Sequence, residues 1–490
     1  AKLLVFDPRK QNLMRHASHP VIFRPGCDVA LLNSMIHVII EEKLYDQQYI
    51  QANVEGFEAL EKKVKDFSPE SMEEISGVPA DYVREFSRIY ANSENSIIFW
   101  GMGISQHVHG TDNSRCLIAL SLITGHVGRP GTGLHPLRGQ NNVQGASDAG
   151  LIPMVYPNYQ SVEDVDIRNF FEDKWGRSLD PTKGLTVVEI MNRIVSSQMF
   201  GMYVMGENPA MSDPDQNHAR LALSKLQHLV VQDIFFTETA WFADVIFPAS
   251  AQPEKAGTYT NSNRQVQIGF PVRKTPGEAR QDWKLIVDLA KRCGLNWDYK
   301  NVSAVYTEMA STMSSLNNIS WERLEKDGAV CYPVDDETSF GNEILFSEGF
   351  PTSNGKAKIV PADLMPPDEK PNKKYPFILT TGRLLEHWHT GAMTRRSSML
   401  EAQEPIPTVS MHPNDIRKLG LKRGENVLVE TQRGIIEILL REDRDVSKGM
   451  LFIPFCFTES PANKLTNPHL DPYGKIPEFK YAAARVYKVN

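Results

Sequence analysis

The segment that governs the interpretation of this sequence reads Leu137-Arg138-Gly139-Gln140-Asn141-Asn142-Val143-Gln144-Gly145-Ala146-Ser147-Asp148. It follows the bend Gly128-Arg129-Pro130-Gly131-Thr132-Gly133, whose glycines let the backbone take positive φ and approach a ligand closely. The segment is poor helix or strand material and carries many hydrogen-bond donors and acceptors. A surface loop held by amide-to-backbone bonds is one interpretation. We favour a ligand-binding loop, because a single arginine lies between a flexible entry and a rigid exit.

Length and composition limit the class of protein. A chain of 490 residues is too long for one hydrophobic core, so we expect three domains. The net charge of −7 predicts no nucleic-acid partner, and no apolar run is long enough to predict a membrane span. The five cysteines are scattered and form no Cys-x-x-Cys pair, which predicts neither disulfides nor an iron–sulfur site and favours a reducing, cytoplasmic setting.

The first residues form an apolar strand, Leu3 to Asp7, that runs directly into a turn. Such a strand normally lies inside a parallel sheet with neighbours on both sides. We therefore expect this sequence to be the carboxy-terminal portion of a longer polypeptide.

Alternating strand and helix patterns predict an α/β fold with two doubly wound, Rossmann-like domains. We place the first at residues 1–140 and the second, with a connecting segment, at residues 141–365. Residues 366–490 are expected to form an antiparallel β-barrel, because 424–435 has the pattern of a hairpin.

Several polar residues lie where these elements begin or end. Asp7 and Asp233 each follow an apolar strand and either contact a nucleotide or simply end the strand. Asp28 and Asp282 each open a helical pattern and are predicted to be N-caps, with a ligand role open for Asp28. Lys255 suits a phosphate or is a surface lysine.

The segment from Arg138 to Asp148 resembles the substrate loop of molybdenum- or tungsten-dependent formate dehydrogenases, which belong to the molybdopterin oxidoreductase superfamily. The resemblance extends along almost the whole chain and implies that the β-barrel of residues 366–490 is of the double-psi type. It implies that Arg138 is the catalytic residue that holds formate beside the metal. A guanidinium suits this role, because its planar fork pairs with both carboxylate oxygens and stays charged.

The resemblance also implies a bis(molybdopterin guanine dinucleotide) cofactor with Mo or W. Carboxylates suit the N1–H and N2–H2 donors of guanine, whereas lysines and strand-end amides suit pyrophosphate. Contacts to one dinucleotide are implied at Asp7, Pro8, Arg9, Lys10, Gln11, Gly26, Cys27, Asp28, Met102 and Gln106. Contacts to the other are implied at Asn208, Gln232, Asp233, Lys255 and Asp282. Further contacts are implied at Gln140, Thr381, Gly382, Arg383, His387, Trp388, His389, Thr390, Phe455, Asn463 and Lys480.

The same resemblance places the metal-ligating cysteine or selenocysteine and the iron–sulfur clusters upstream of this sequence. We predict no metal ligand within it; the His387 and His389 pair lacks further ligands at zinc spacing. We therefore expect these 490 residues alone to be inactive.

The function implied is oxidation of formate to CO2. Electrons then pass to the iron–sulfur clusters of the missing N-terminal part and to electron-transfer subunits, with NAD as one candidate acceptor. Another superfamily reductase, such as a nitrate reductase, is one alternative, and Arg138 favours formate over it. A non-catalytic scaffold subunit of a redox complex is the other, and the intact guanine-binding positions argue against it.

Overall fold

The structure, a computed structural model, describes residues 1–489. Its helices are α1 Asp28–Glu41, α2 Gln47–Asn53, α3 Phe57–Val64, α4 Pro69–Ser76, α5 Ala80–Ala91, α6 Met102–Ser105, α7 Gly110–Ile123, α8 Val143–Asp148, α9 Val165–Trp175, α10 Val187–Val195, α11 Pro209–Ser212, α12 Gln216–Lys225, α13 Asp282–Arg292, α14 Val302–Ala310, α15 Trp321–Asp327, α16 Ser398–Gln403 and α17 Pro413–Lys418.

The strands are β1 Leu4–Phe6, β2 His19–Val21, β3 Val54–Glu55, β4 Ile97–Trp100, β5 Gly133–Pro136, β6 Val155–Tyr156, β7 Gln160–Ser161, β8 Gly201–Met205, β9 His228–Asp233, β10 Val245–Pro248, β11 Gly257–Thr260, β12 Gln265–Gly269, β13 Ala329–Cys331, β14 Ala357–Lys358, β15 Phe377–Gly382, β16 Thr408–Met411, β17 Asn426–Glu430, β18 Ile435–Glu442, β19 Met450–Pro454 and β20 Ala482–Lys488. None of the helices in residues 1–489 is both long and apolar enough to cross a membrane.

The chain divides into two compact units. Unit 1 contains residues 1–135, 208–221 and 345–490, and unit 2 contains residues 136–207 and 222–344. The three domain boundaries expected above remain a prediction.

In unit 1, helix α1 lies at the centre of a helical layer and packs against α4, α5 and α7. It is buried around most of its circumference, because most of its residues are apolar and neighbouring helices cover it. Helix α4 begins at a side-chain cap, since Ser68 Oγ accepts a hydrogen bond from the Ser71 N–H at 3.2 Å. The predicted cap at Asp28 is wrong. Cys27 occupies the N-cap position, and Asp28 is already helical, so its carboxylate does not have the geometry of a cap.

Within residues 1–489, the first strand has a paired neighbour on one side and an unpaired edge on the other. Strand β1 pairs with β2 alone, in parallel, with Leu4 opposite His19. Strand β2 contains Pro20, which has no backbone N–H and therefore suits an edge.

The C-terminal part of unit 1 is a closed barrel in the order β15-β19-β16-β18-β17-β20. This confirms the predicted barrel, and the β17–β18 hairpin closes with a bond from Thr431 N to Gly434 O at 3.0 Å. The barrel is not antiparallel throughout, however. The pairs β15–β19 and β16–β18 are parallel, because long connections between those strands return the chain in the same direction.

Unit 2 contains two sheets. Strands β8, β9 and β10 form a parallel sheet with β9 in the middle, which matches the predicted α/β pattern. Strands β11, β12 and β13 form an antiparallel sheet that packs against α15 and α14. The mixed α/β fold class is therefore confirmed.

Candidate functional site

The loop that carries Arg138 lies in unit 2. Residues 137–142 are irregular, but residues 143–148 form helix α8, so the expectation that the whole segment is non-helical is wrong. Gly145 allows this helix to pack closely against neighbouring side chains. A Cβ at that position would lie 2.3 Å from Asn142 Oδ1 and 3.1 Å from Thr260 Oγ1, so only glycine fits without a shift.

The β11–β12 hairpin holds this loop. The Arg138 N–H donates to Ser262 Oγ at 3.3 Å, and the Thr260 N–H donates to Asn142 Oδ1 at 2.9 Å. Asn141 Nδ2 adds a bond to Gln252 Oε1 at 2.8 Å. This support was not predicted from the sequence. The signal for it was the Asn261-Ser262-Asn263 turn after the β-branched run, a typical hairpin pattern.

The guanidinium of Arg138 is held at one edge. Its Nε donates to Gln144 Oε1 at 3.1 Å, and the side chain is exposed. Within residues 1–489, the structure gives Nη1 and Nη2 no hydrogen-bond partner. The pair of terminal nitrogens that can bind a carboxylate in bidentate fashion is therefore available. Gln140, predicted beside it, is also exposed.

In unit 1, the segment that follows β1 lies against the barrel. Asp7 Oδ1 accepts the Arg9 N–H at 2.8 Å, which forms a tight local turn, and the Arg9 guanidinium lies 3.7 Å from the centre of the Phe452 ring. The Lys10 N–H donates to Asp445 O at 2.9 Å. The predicted residues from Asp7 to Gln11 are thus fixed at one end of the barrel.

Buried ionisable groups lie close to Asp7. His107 Nδ1 is 2.8 Å from Glu478 Oε1, and both side chains are almost fully buried. Burial opposes protonation of His107, but the Glu478 carboxylate outweighs it and raises the pKa of the histidine. Burial also raises the pKa of Asp28, against the pull of His107. The structure thus brings the predicted residues Asp28 and Asp7 into one electrostatic cluster. His107 and Glu478 belong to the same cluster and were not predicted from the sequence.

The positive groups of this cluster are Lys480 and Arg383. Lys480 Nζ donates to Thr381 O at 2.8 Å, and burial followed by repulsion from Arg383 lowers the pKa of Lys480 to about 8. The pKa of Arg383 is lowered by burial as well. Burial and Arg383 together lower the pKa of His389 to about 4. Burial thus disfavours the charged forms of all three groups, and Arg383 adds repulsion, so an anion bound beside Lys480 and Arg383 would stabilise their charged forms.

The other predicted residues of unit 1 have mainly structural contacts. The thiol of Cys27, which follows Gly26 in its left-handed conformation, donates to Ile75 O at 3.2 Å. His387 Nε2 lies 2.8 Å from Glu404 O, and Asn463 Nδ2 donates to Met211 O at 2.9 Å. The remaining members are placed as follows: Met102 and Gln106 begin and cap α6, Asn208 precedes α11, Arg383 lies over the Trp388 ring, Phe455 packs edge-on to His389, and Thr390 is buried.

In unit 2, three predicted residues form a hydrogen-bonded group. Gln232 Nε2 donates to Asp282 Oδ1 at 2.7 Å, and Lys255 Nζ pairs with Asp282 Oδ2. Asp282 was predicted to cap α13, which is wrong: Gln281 holds the N-cap position, and the Asp282 carboxylate is engaged by Gln232 and Lys255 instead. Asp233 accepts the N–H groups of Ile234 at 2.6 Å and of Phe235 at 3.2 Å.

The carboxylates and positively charged side chains described above have the chemistry to bind a guanine dinucleotide. The carboxylates of Asp7 and Asp28 can accept from a guanine edge, and the positive charges of Lys480 and Arg383 suit a pyrophosphate. Asp282 and Lys255 repeat the combination of one carboxylate and one ammonium in unit 2.

Comparison with known proteins agrees with this chemistry. Residues 1–292 match the family model described as molybdopterin oxidoreductase, and residues 377–483 match the molydopterin dinucleotide binding domain. The chain is 42% identical over 491 residues to the F420-dependent formate dehydrogenase subunit alpha of Methanocaldococcus jannaschii, a match that covers all of this chain and 72% of the relative. It is 35% identical to formate dehydrogenase H of Escherichia coli, with 99% of this chain and 68% of the relative covered.

Among solved structures, the acetylene hydratase of Pelobacter acetylenicus superposes with a TM-score of 0.79 at 21% identity, covering 100% of this chain and 74% of the other. At that identity the superposition shows the shared fold only. The family model, the dinucleotide-binding domain and the relatives above one-third identity together establish that this chain belongs to the molybdopterin oxidoreductase family.

Proposed function

We propose that this chain is the catalytic portion of a formate dehydrogenase, which converts HCOO⁻ into CO2, H⁺ and two electrons. The observation that carries the proposal is the Arg138 guanidinium, tied to Gln144 through Nε while its Nη1 and Nη2 have no partner within residues 1–489. The formate dehydrogenases among the relatives, at 34–42% identity over nearly the whole chain, support it.

In this mechanism Arg138 binds formate through two parallel N–H···O bonds, one to each oxygen. A guanidinium fixed at Nε holds the carboxylate plane in one orientation, which determines where the C–H bond points. The bound Mo or W centre with its two pterins supplies the two-electron acceptor. The product CO2 carries no charge, so it loses its attraction to Arg138 and can leave.

We propose further that the predicted residues of the two units hold the two dinucleotides. Asp7 and Asp28 accept from one guanine, and Lys480 and Arg383 neutralise phosphate charge in unit 1. The group of Gln232, Lys255 and Asp282 serves the second nucleotide in unit 2. The buried position of Asp28 and the depressed pKa of Lys480 support this assignment.

We propose that the metal-ligating residue and the iron–sulfur clusters lie outside these 490 residues. An electron-transfer subunit is a further partner in this proposal. A cytoplasmic setting is part of it, supported by the free thiols of all five cysteines. Three of the relatives are F420-dependent by name, so F420 joins NAD as an acceptor to be assayed.

The decisive experiment is metal and pterin analysis of the full-length enzyme, followed by formate-dependent dye reduction and dye-dependent nitrate reduction on the same preparation. We expect Mo or W, two guanine nucleotides per metal and turnover of formate. Nitrate reduction without formate oxidation would favour the nitrate reductase alternative. A preparation without pterin in a correctly assembled complex would favour a scaffold subunit.

A further inference from the structure

The Gln144 amide lies among several polar side chains of unit 2. Its Nε2 donates to Asp148 Oδ1 at 2.7 Å, and it lies 3.3 Å from the Tyr332 hydroxyl and 3.4 Å from the Tyr159 hydroxyl. The Tyr332 hydroxyl donates in turn to the other carboxylate oxygen, Asp148 Oδ2, at 2.8 Å. Asp148 is only 4% exposed, so these bonds replace most of its hydration.

The chemistry of this network determines which way the amide faces. An ionised carboxylate only accepts hydrogen bonds, so Asp148 requires the nitrogen end of Gln144. The oxygen end must then face Arg138, whose Nε–H is only a donor. If the amide were reversed, its NH2 group would face the Arg138 Nε–H, which is also a donor. Its oxygen would then face the Asp148 carboxylate, which is also an acceptor.

We propose that Asp148 and Tyr332 are positioning residues for formate binding, because they fix the Gln144 amide that orients Arg138. Neither residue needs to touch the substrate. This inference rests on the proposed role of Arg138 as the formate-binding residue.

The backbone near Tyr159 supports a positioning role. Asn158 and Tyr159 both have left-handed conformations, with φ of 65° and 58°, which are uncommon for residues other than glycine. Asn158 Nδ2 donates to Ser314 Oγ at 2.9 Å, which helps to hold this turn. Burial and the Asp148 charge raise the pKa of Tyr159 to about 12 and also raise the pKa of Tyr332. Both phenols therefore stay protonated near neutral pH.

The test compares Tyr332→Phe with Tyr306→Phe in the full-length, cofactor-loaded enzyme. Tyr306 is a matched control in unit 2, since its buried hydroxyl donates to Ile319 O at 2.7 Å and makes no hydrogen bond to Gln144 within residues 1–489. We expect Tyr332→Phe to raise the KM of formate and the Ki of nitrate, a planar competing anion, by about three- to tenfold, the effect of weakening one hydrogen bond. We expect a smaller change in the kcat of Tyr332→Phe. For Tyr306→Phe we expect a change in thermal stability and no change in KM or Ki.

A double variant asks whether Tyr332 acts through Gln144. Gln144→Met keeps the length of the side chain and removes the hydrogen bonds of the amide to Arg138, Asp148, Tyr159 and Tyr332. If the coupling runs through the amide, Tyr332→Phe should change the KM of formate no further in the Gln144→Met background. An equal effect of Tyr332→Phe in both backgrounds would overturn the proposal.

The second readout needs neither cofactor nor turnover. In protein labelled with ¹⁵N-arginine, the Nε–H signal of Arg138 is assigned by its loss in Arg138→Lys, and its solvent exchange is measured. We expect exchange about three- to tenfold faster in Tyr332→Phe and unchanged in Tyr306→Phe. If the wild type fails to oxidise formate, the proposed function fails while this readout still tests the positioning network. Equal exchange rates and equal KM values in the two variants would overturn the network itself.

Discussion

Arg138 donates from Nε to the side-chain oxygen of Gln144, six residues later, at 3.1 Å. This bond fixes one edge of the guanidinium and leaves the opposite edge for a ligand. The same loop is tied to the β11–β12 hairpin through Ser262 and Thr260, so the arginine is held by backbone and side chain alike. Such preorganisation reduces the cost of orienting a small substrate that offers few contacts of its own.

The first prediction concerns Asp7 and Asp233. Asp7→Asn and Asp233→Asn should each weaken retention of the pterin nucleotide in the full-length enzyme, because asparagine can keep the local turn but loses the charge that accepts from guanine. A hydrogen bond to a charged group contributes about 1.5–3 kcal/mol, so release should accelerate at least about tenfold. Guanine and metal content after dialysis measure the effect.

Asp443→Asn is the matched control for Asp7. Asp443 Oδ1 accepts the Asp445 N–H at 2.9 Å in the same kind of turn, and its charge also acts on Arg9. We expect this variant to keep its cofactor. If all three variants retain wild-type nucleotide content, the two aspartates only end their strands.

The second prediction concerns Lys480, whose pKa of about 8 lies below the 10.5 of an unperturbed lysine. The unfolded chain therefore binds this proton more tightly. The free energy of unfolding of the cofactor-free protein should rise as pH increases from about 8 to 10.5, and the stability is lost again as pH falls through 8. Lys480→Met should remove this dependence and stabilise the cofactor-free protein at pH 7 by about 2 kcal/mol.

The same substitution should weaken cofactor retention, because the ammonium is no longer there to pair with phosphate. Urea unfolding at pH 7 and pH 9.5, with nucleotide content of the loaded enzyme, measures both effects. Lys488→Met, at an exposed position of β20, serves as the control. A Lys480→Met protein that is less stable at pH 7 and still retains cofactor would contradict the assignment.

The third prediction concerns Gly382 at the end of β15. A Cβ there would lie 2.4 Å from the Phe452 ring, against which Arg9 also packs. Gly382→Ala should therefore lower the free energy of unfolding by about 1–3 kcal/mol through overpacking. Gly257→Ala is the control, since its Cβ would meet no atom within 4 Å. Thermal unfolding of the two variants should differ clearly, and similar melting temperatures would show that Phe452 can move aside.

Much of the architecture could be predicted from local patterns. The helix after Ser68 follows from its cap, its proline and Gly77, and the β17–β18 hairpin follows from alternation around a turn. These features depend on residues close together in the chain. The parallel pairs within the barrel could not be predicted, because they join strands separated by long connections.

The residues of the candidate site also fall into two groups, those that a local pattern indicates and those whose contacts depend on residues distant in sequence. Arg138 was proposed from its own loop, whereas the hydrogen bond between Gln144 and Tyr332 joins residues 188 positions apart in the sequence. Asp282 was mistaken for a cap because a helix start is a local signal, while its partners Gln232 and Lys255 are distant in sequence. His107 and Glu478 were missed because a buried ion pair leaves no periodic pattern.

Binding of the formate carboxylate by Arg138 can be measured with Arg138→Lys in the full-length enzyme, with metal occupancy and formate kinetics determined on the same preparation. Lysine keeps the charge but loses the fork and the Nε bond to Gln144. We predict normal metal and pterin content with kcat/KM for formate reduced on the order of 10²-fold, and a larger loss in Arg138→Ala. A lysine variant with full occupancy and unchanged kcat/KM would contradict the account.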